Sequence, residues 1–264
     1  YQGQCLLNLG YATMGLERYE EALQHFKEAE LLLNGYGGTE SWQALCSMNI
    51  GATLLLMEKY EEGLEFSREG LGKFRRLEGS EDNQAKCLVS MASAFNKLGR
   101  YEEALSAYEQ LNGLYAQAQN TEQKQAYCLQ QMGELLYGLG KIKEALDQYE
   151  KALSLPIKGD EVSPVKALCF MNAGVALNDL GRHEEAYKKC QAALTMFKAI
   201  EGAEINQGQC LLNLGNAVCK IGQHEEALQY YKESKALLKD FEGTELFQAL
   251  CDMNMGIAFL EMEQ

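Results

Sequence analysis

A chain of 264 residues, 47% of them hydrophobic, is long and apolar enough to bury an extensive core, which excludes a disordered polymer. Only Pro156 and Pro164 interrupt a sequence rich in Ala, Leu, Glu, Gln and Lys, so an all-α fold is predicted. With 38 acidic against 24 basic residues the net charge is −14, which works against nucleic acid and favours the approach of a basic partner, besides serving solubility.

The first helix is predicted over Gln4 to Leu16, apolar at helical spacing until Glu17-Arg18 interrupts it. A second opens with Tyr19-Glu20-Glu21-Ala22-Leu23, its paired carboxylates at the positive end of the helix dipole, and runs to about Leu33. The loop from Asn34 to Glu40 ends the unit with glycines that tolerate left-handed backbone angles. The unit then begins again. Cys5, Cys46, Cys87, Cys128, Cys169, Cys210 and Cys251 are each 41 residues from the next. Columns at the same offset hold Tyr19, Tyr60, Tyr101, Ile142, His183 and His224, and then Ala22, Gly63, Ala104, Ala145, Ala186 and Ala227. Another holds Gly10, Gly51, Gly133, Gly174, Gly215 and Gly256, with Ala92 in the third copy. Such self-similarity predicts a solenoid of identical supersecondary units, here a single array of six hairpins and a last helix. The hairpins fall at about 1–40, 41–81, 82–122, 123–163, 164–204 and 205–245, and the helix at 246–264.

Offsetting the chain by 205 residues matches 32 of 59 positions, including Gln2 to Gly10 against Gln207 to Gly215, which implies block duplication. The chain opens inside one helix at Tyr1 and stops at Gln264 just after another, so the sequence reads as a piece of a longer array. Neither an apolar run of about 18 residues nor a secretion-signal pattern occurs, so no membrane association is expected and a cytoplasmic location is.

Leu9-Gly10, the break before Tyr19, and then Ala22, Phe26 and Ala29 resemble the spaced large and small residues of the tetratricopeptide repeat family. The resemblance covers the whole chain. Its copies exceed the family's usual length of about 34 residues, as do the longer repeats of kinesin light chains and related spindle-orientation adaptors. Leu6, Leu88 or Phe170 stands where the family usually has tryptophan, and the closing proline is generally absent. The resemblance implies a right-handed α-solenoid of stacked antiparallel helix pairs, with first helices lining a concave wall.

Equivalent atoms in neighbouring hairpins lie about 10 Å apart, whereas a disulfide needs α-carbons within about 7 Å. The cysteine column is therefore expected to be a small apolar packing position in a reducing compartment, and the extra Cys190 and Cys219 are read the same way. Local spacing supplies no metal motif: C-x2-C and H-x3-H are absent, and His183 and Cys190 stand two helical turns apart. His183 and His224 are expected to be packed. No phosphate loop or nucleophile elbow is present, so no catalytic residue, no metal and no cofactor is expected.

One first-helix column reads Asn8, Asn49, Ser90, Gln131, Asn172, Asn213 and Asn254. Asparagine is a poor helix former, yet its amide offers the donor and acceptor that grip the backbone of an extended peptide. The column resembles the asparagine ladder of the long-repeat adaptors. The neighbouring column holds Leu7, Met48, Val89, Gln130, Met171, Leu212 and Met253, of which Met48, Met171, Leu212 and Met253 are candidate groove residues. Seven rungs at 10 Å would hold about twenty extended residues. Tyr11, Glu134, Tyr137, Asn178 and Asn216 are expected to add contacts. Two alternatives stay open: an internal ladder between hairpins, and a Met/Leu column belonging to the core.

The sequence thus predicts a scaffold or adaptor that holds a basic or amphipathic protein segment. A self-associating structural spacer and a regulatory arm of a larger signalling protein are the alternatives. The apolar residues of Leu246 to Met262 further predict end-to-end self-association through the terminal helix.

Overall fold

The computed structural model describes residues 1–157 and 163–263; residues 158–162, in the fourth predicted hairpin, and the closing residue Gln264 lie outside the described residues. Thirteen α-helices occur among the described residues, and no strand. They form two compact units, Tyr1–Gln119 and Asn120–Gln264.

The first unit contains three antiparallel pairs: α1 (Gln2–Gly15) with α2 (Tyr19–Leu33), α3 (Glu40–Leu56) with α4 (Tyr60–Phe74), and α5 (Glu81–Lys97) with α6 (Tyr101–Gln117). The second contains α7 (Glu122–Gly138) with α8 (Ile142–Ser154), α9 (Pro164–Asp179) with α10 (His183–Lys198), α11 (Glu204–Lys220) with α12 (His224–Leu238), and α13 (Glu245–Met262). Within each unit a first helix packs on its own second helix, on the second helix before it, and on the next first helix.

Each break between paired helices is a left-handed residue followed by a return bond. Glu17 and Glu58 take φ of 60° and 59°, and Gly99, Gly140, Gly181 and Gly222 take 71–83°. The next amide then reaches five residues back, as from Arg18 to the Thr13 carbonyl at 3.0 Å and from Gln223 to Val218 at 2.9 Å. This is the Schellman closure, in which glycine avoids the cost of about 1–2 kcal/mol that a side chain carries in left-handed backbone.

The glycine column marks where paired helices cross. A Cβ at Gly10 would sit 2.4 Å from the Phe26 ring, and at Gly133 and Gly215 it would sit 2.3 and 2.5 Å from Tyr149 and Tyr231. At Gly174 it would meet Cys190 Sγ at 2.3 Å, which accounts for Cys190 as a packing residue. The facing alanines, from Ala22 to Ala227, are fully buried on the second helices.

The cysteine column packs on the preceding second helix. Cys46 lies in a cluster with Ala22, Phe26, Ala29 and Leu33, and Cys251 in one with Ala227, Leu228 and Tyr231. Every thiol is free, and all but Cys5 are buried. In this chain no preceding helix covers Cys5, so it is exposed. Burial pushes the Cys46, Cys87, Cys128 and Cys169 thiols up to about 12, as expected of thiols held in apolar packing.

A second column, not anticipated from the sequence, closes the loops between hairpins. Thr39 Oγ1 donates to the Leu33 carbonyl at 3.0 Å, Ser80 Oγ to Phe74 at 2.6 Å, and Thr244 Oγ1 to Leu238 at 2.8 Å. One turn on, Gln43 and Gln248 donate to the same Leu33 and Leu238 carbonyls at 3.0 and 3.2 Å. The carbonyl ends of α2, α4 and α12 are thus finished by the start of the following hairpin.

Candidate functional site

The amide column occupies one face of the first helices, and the structure gives its members different environments. Asn8 is exposed on α1, Asn49 is buried on α3, and Ser90, Gln131, Asn172, Asn213 and Asn254 are half-buried. Three amides bond to the preceding first helix with the same offset of 38 residues. Asn49 Nδ2 donates to the Tyr11 hydroxyl at 2.8 Å, Asn172 Nδ2 to Glu134 Oε1 at 3.2 Å, and Asn254 Nδ2 to Asn216 Oδ1 at 2.8 Å. The residues expected to contact a guest, Tyr11, Glu134 and Asn216, are therefore partners of the ladder itself.

Why these rungs bond follows from the acceptor position, three residues beyond each rung in the preceding copy. It holds Tyr11, Glu134 and Asn216 where a bond forms, but Ala52 opposite Ser90 and Val175 opposite Asn213. An apolar side chain there has nothing to accept with. Asn213 is tied instead through its backbone, whose carbonyl accepts from Asn178 Nδ2 at 3.3 Å. Gln131 donates within its own helix, to Gln130 Oε1 at 2.8 Å and Glu134 Oε2 at 3.1 Å.

Met48, Met171 and Leu212 belong to the core, at 7%, 8% and 5% exposure, which corrects their reading as groove residues. Met171 packs with Cys190, Leu194 and Leu211, and Leu212 with Leu228 and Tyr231. The reason is register: one residue away from a half-buried amide, a helix turns by about 100° and the side chain faces inward. Met253, at 55%, is open to solvent: among the described residues no helix packs on its side of α13.

Two clefts of the second unit run along the rungs. One, of about 200 Å³, is walled by Glu134, Tyr137, Tyr149, Asn172 and Val175. The other, of about 360 Å³, includes Asn178, Asn216, Tyr231, Met253 and Asn254 in its walls. Partial burial raises the Glu134 carboxyl above the ordinary carboxylate range, while amides from Asn172, Gln130 and Gln131 pull it back. Tyr137, in the wall of the first cleft, donates its hydroxyl to Asp179, which lines the second. The first cleft is acidic, and an ammonium or guanidinium group entering it would meet Glu134 beside two tyrosine rings.

The tetratricopeptide repeat model matches residues 43–111, 88–157 and 166–240, and a second model of that repeat matches 3–29. The chain belongs to the tetratricopeptide repeat family. It is an all-α helical repeat protein of the kind that serves as a protein-interaction scaffold. No curated protein matches it. Among solved structures, BtubC (BKLC) from P. vanneervenii is 20% identical with a TM-score of 0.70, over 86% of this chain and 92% of that one. A putative kinesin light chain from Podosopora anserina with nearly identical TPR-like repeats is 15% identical, TM-score 0.61, over 77% and 97%. YrrB, described as a TPR protein with an unusual peptide-binding site, is 18% identical, TM-score 0.56, over 82% and 93%. At these identities the likeness is one of fold.

Sequence spacing did not bring together one further group. Cys219 at the end of α11, His224 at the start of α12 and Glu261 in the last turn of α13 converge although they are 5 and 42 residues from Cys219. The available signal was that Cys219 departs from the cysteine column and is followed five residues on by a histidine.

Proposed function

We propose that this repeat protein holds an extended segment of a partner protein along the first helices, with the amide column gripping its backbone and the clefts taking its side chains. The observation that carries the reading is that ladder amides, Asn172 and Asn254, stand in the walls of two clefts of the second unit. Four rungs about 10 Å apart match roughly nine extended residues in that unit. Glu134 in the first cleft, Asp179 in the second and the net charge of −14 favour a basic side chain in the guest. YrrB, whose fold this chain shares, is a peptide-binding relative and supports the same reading. Buried free thiols suit a reducing, cytoplasmic setting.

The internal bonds of the ladder shape the test. Asn172→Ala removes a bond to Glu134 and is expected to lower stability by about 0.5–1.5 kcal/mol. Asn213→Ala faces Val175 and is expected to change stability by less than about 0.5 kcal/mol. Peptides selected on the wild-type chain from a randomised library should lose at least about tenfold in affinity for Asn213→Ala. Undiminished binding by that variant would refute backbone gripping and favour the structural spacer.

We also infer end-to-end pairing through α13, whose Leu246, Phe259 and Leu260 are 50–68% exposed.

A further inference from the structure

The group formed by Cys219, His224 and Glu261 has the dimensions of a metal site. Cys219 Sγ lies 3.7 Å from His224 Nδ1 and 3.6 Å from Glu261 Oε2, and His224 Nδ1 lies 3.4 Å from Glu261 Oε2. In a tetrahedral zinc centre, bonds of about 2.3 Å to sulfur, 2.05 Å to nitrogen and 2.0 Å to oxygen place these pairs roughly 3.6, 3.5 and 3.3 Å apart. All three edges therefore agree with the tetrahedron to within about 0.2 Å, without movement of any helix. Thiolate, imidazole and carboxylate together are also a donor set suited to zinc.

Neighbouring repeats supply an internal comparison. One copy earlier the same positions hold Asn178, His183 and Lys220, and two copies earlier Tyr137, Ile142 and Asp179. The contacts persist there as simple hydrogen bonds: His183 Nδ1 with Asn178 Oδ1 at 3.3 Å, and Tyr137 with Asp179. The junction between successive first helices is thus a structural constant of the second unit. Among these three copies only the last fills it with three metal-ligating groups, and the copy before it has an ammonium in place of the carboxylate.

We propose that Cys219, His224 and Glu261 bind a zinc ion that pins α13 to α11 and α12. Cys219 also lines the cleft bearing Asn216 and Asn254, and with three protein ligands the fourth coordination position would be left to water or an entering ligand. On binding the thiol gives up its proton to solvent, so zinc affinity should rise with pH, and the cation then offsets thiolate and carboxylate. Holding Glu261 in place also holds the helix whose Asn254 bonds Asn216, so the metal fixes the last cleft. This inference does not depend on peptide binding.

The test uses the 264-residue chain in chelator-free buffer, with cobalt(II) as a spectroscopic stand-in and zinc measured by competition with a chromophoric chelator. One equivalent of cobalt should give a thiolate-to-metal charge-transfer band that one equivalent of zinc abolishes. Cys219→Ser should remove the band, and His224→Ala and Glu261→Gln, which delete direct ligands, should each weaken zinc binding by more than the roughly 10–100-fold that losing an outer-shell partner costs. Cys5→Ser, which deletes the exposed thiol, should leave band and affinity unchanged. Zinc should raise the melting temperature of the wild type but not of Glu261→Gln, whose side chain is exposed enough for the variant to fold as the wild type does. A band that survives Cys219→Ser, a band lost with Cys5→Ser, or the absence of stoichiometric binding by the folded wild type would each overturn the assignment.

Discussion

Gly215 and Gly256 occupy the same column of the repeat, yet they should respond to the same substitution with opposite sign. At Gly215 an added methyl would sit 2.5 Å from the Tyr231 ring, well inside contact distance. The ring cannot swing aside freely, because Tyr231 is 1% exposed and its hydroxyl donates to Asn216 Oδ1 at 3.1 Å. Overpacking of this kind costs about 1–3 kcal/mol, and the better helix propensity of alanine returns about 1 kcal/mol. Gly215→Ala should therefore lose up to about 2 kcal/mol, with α11 and α12 forced apart. At Gly256 nothing lies within 4 Å of the added atom, so only the propensity term remains and Gly256→Ala should gain about 0.5–1 kcal/mol. Urea titration followed by circular dichroism reads both, as midpoints shifted in opposite directions at equal slope. Equal shifts of the two variants would show that the Tyr231 ring adds no cost at Gly215, and would refute helix contact as the reason for glycine in this column.

Two other outcomes follow from burial. A thiol reagent at neutral pH should modify Cys5 rapidly and leave Cys46, Cys87 and Cys169 protected until the chain unfolds; rapid reaction of any of these three would contradict the packing. Because burial raises those thiols from 9.0 to about 12, the folded chain holds protons the unfolded chain has lost over that interval. Stability should accordingly be full below pH 9 and fall as pH rises towards 12, and a flat alkaline profile would refute it. If α13 pairs end to end, sedimentation should show a concentration-dependent dimer that Phe259→Glu abolishes, and a clean monomer at high concentration would count against pairing.

Much of the architecture was legible because each copy repeats the same evidence. A glycine or an alanine in one hairpin is weak information, but the same residue type at one offset in five of six hairpins reports a contact, as the clashes at Gly10, Gly133 and Gly215 make plain. The candidate site was less legible. The column from Asn8 to Asn254 was visible, but whether an amide turns to a guest or to its neighbour depends on the acceptor 38 residues before it, and that column mixes Tyr11, Glu134 and Asn216 with Ala52 and Val175. Met48 and Met171 were misplaced because residues flanking a half-exposed rung point in different directions on a helix, and composition alone does not say which. The convergence of Cys219, His224 and Glu261 lies across three helices, where only packing brings such separations to a few ångströms.

The hydroxyls of Thr39, Ser80 and Thr244 give the chain a direction that its repeated sequence conceals. Each finishes the helix before it, so a hairpin that melts strips the closing bonds from its predecessor while leaving its successor's own ends complete. Under tension, each unit should unravel more readily from its C-terminal end than from its N-terminal end, a mechanical polarity that single-molecule pulling on tethers at either end would resolve.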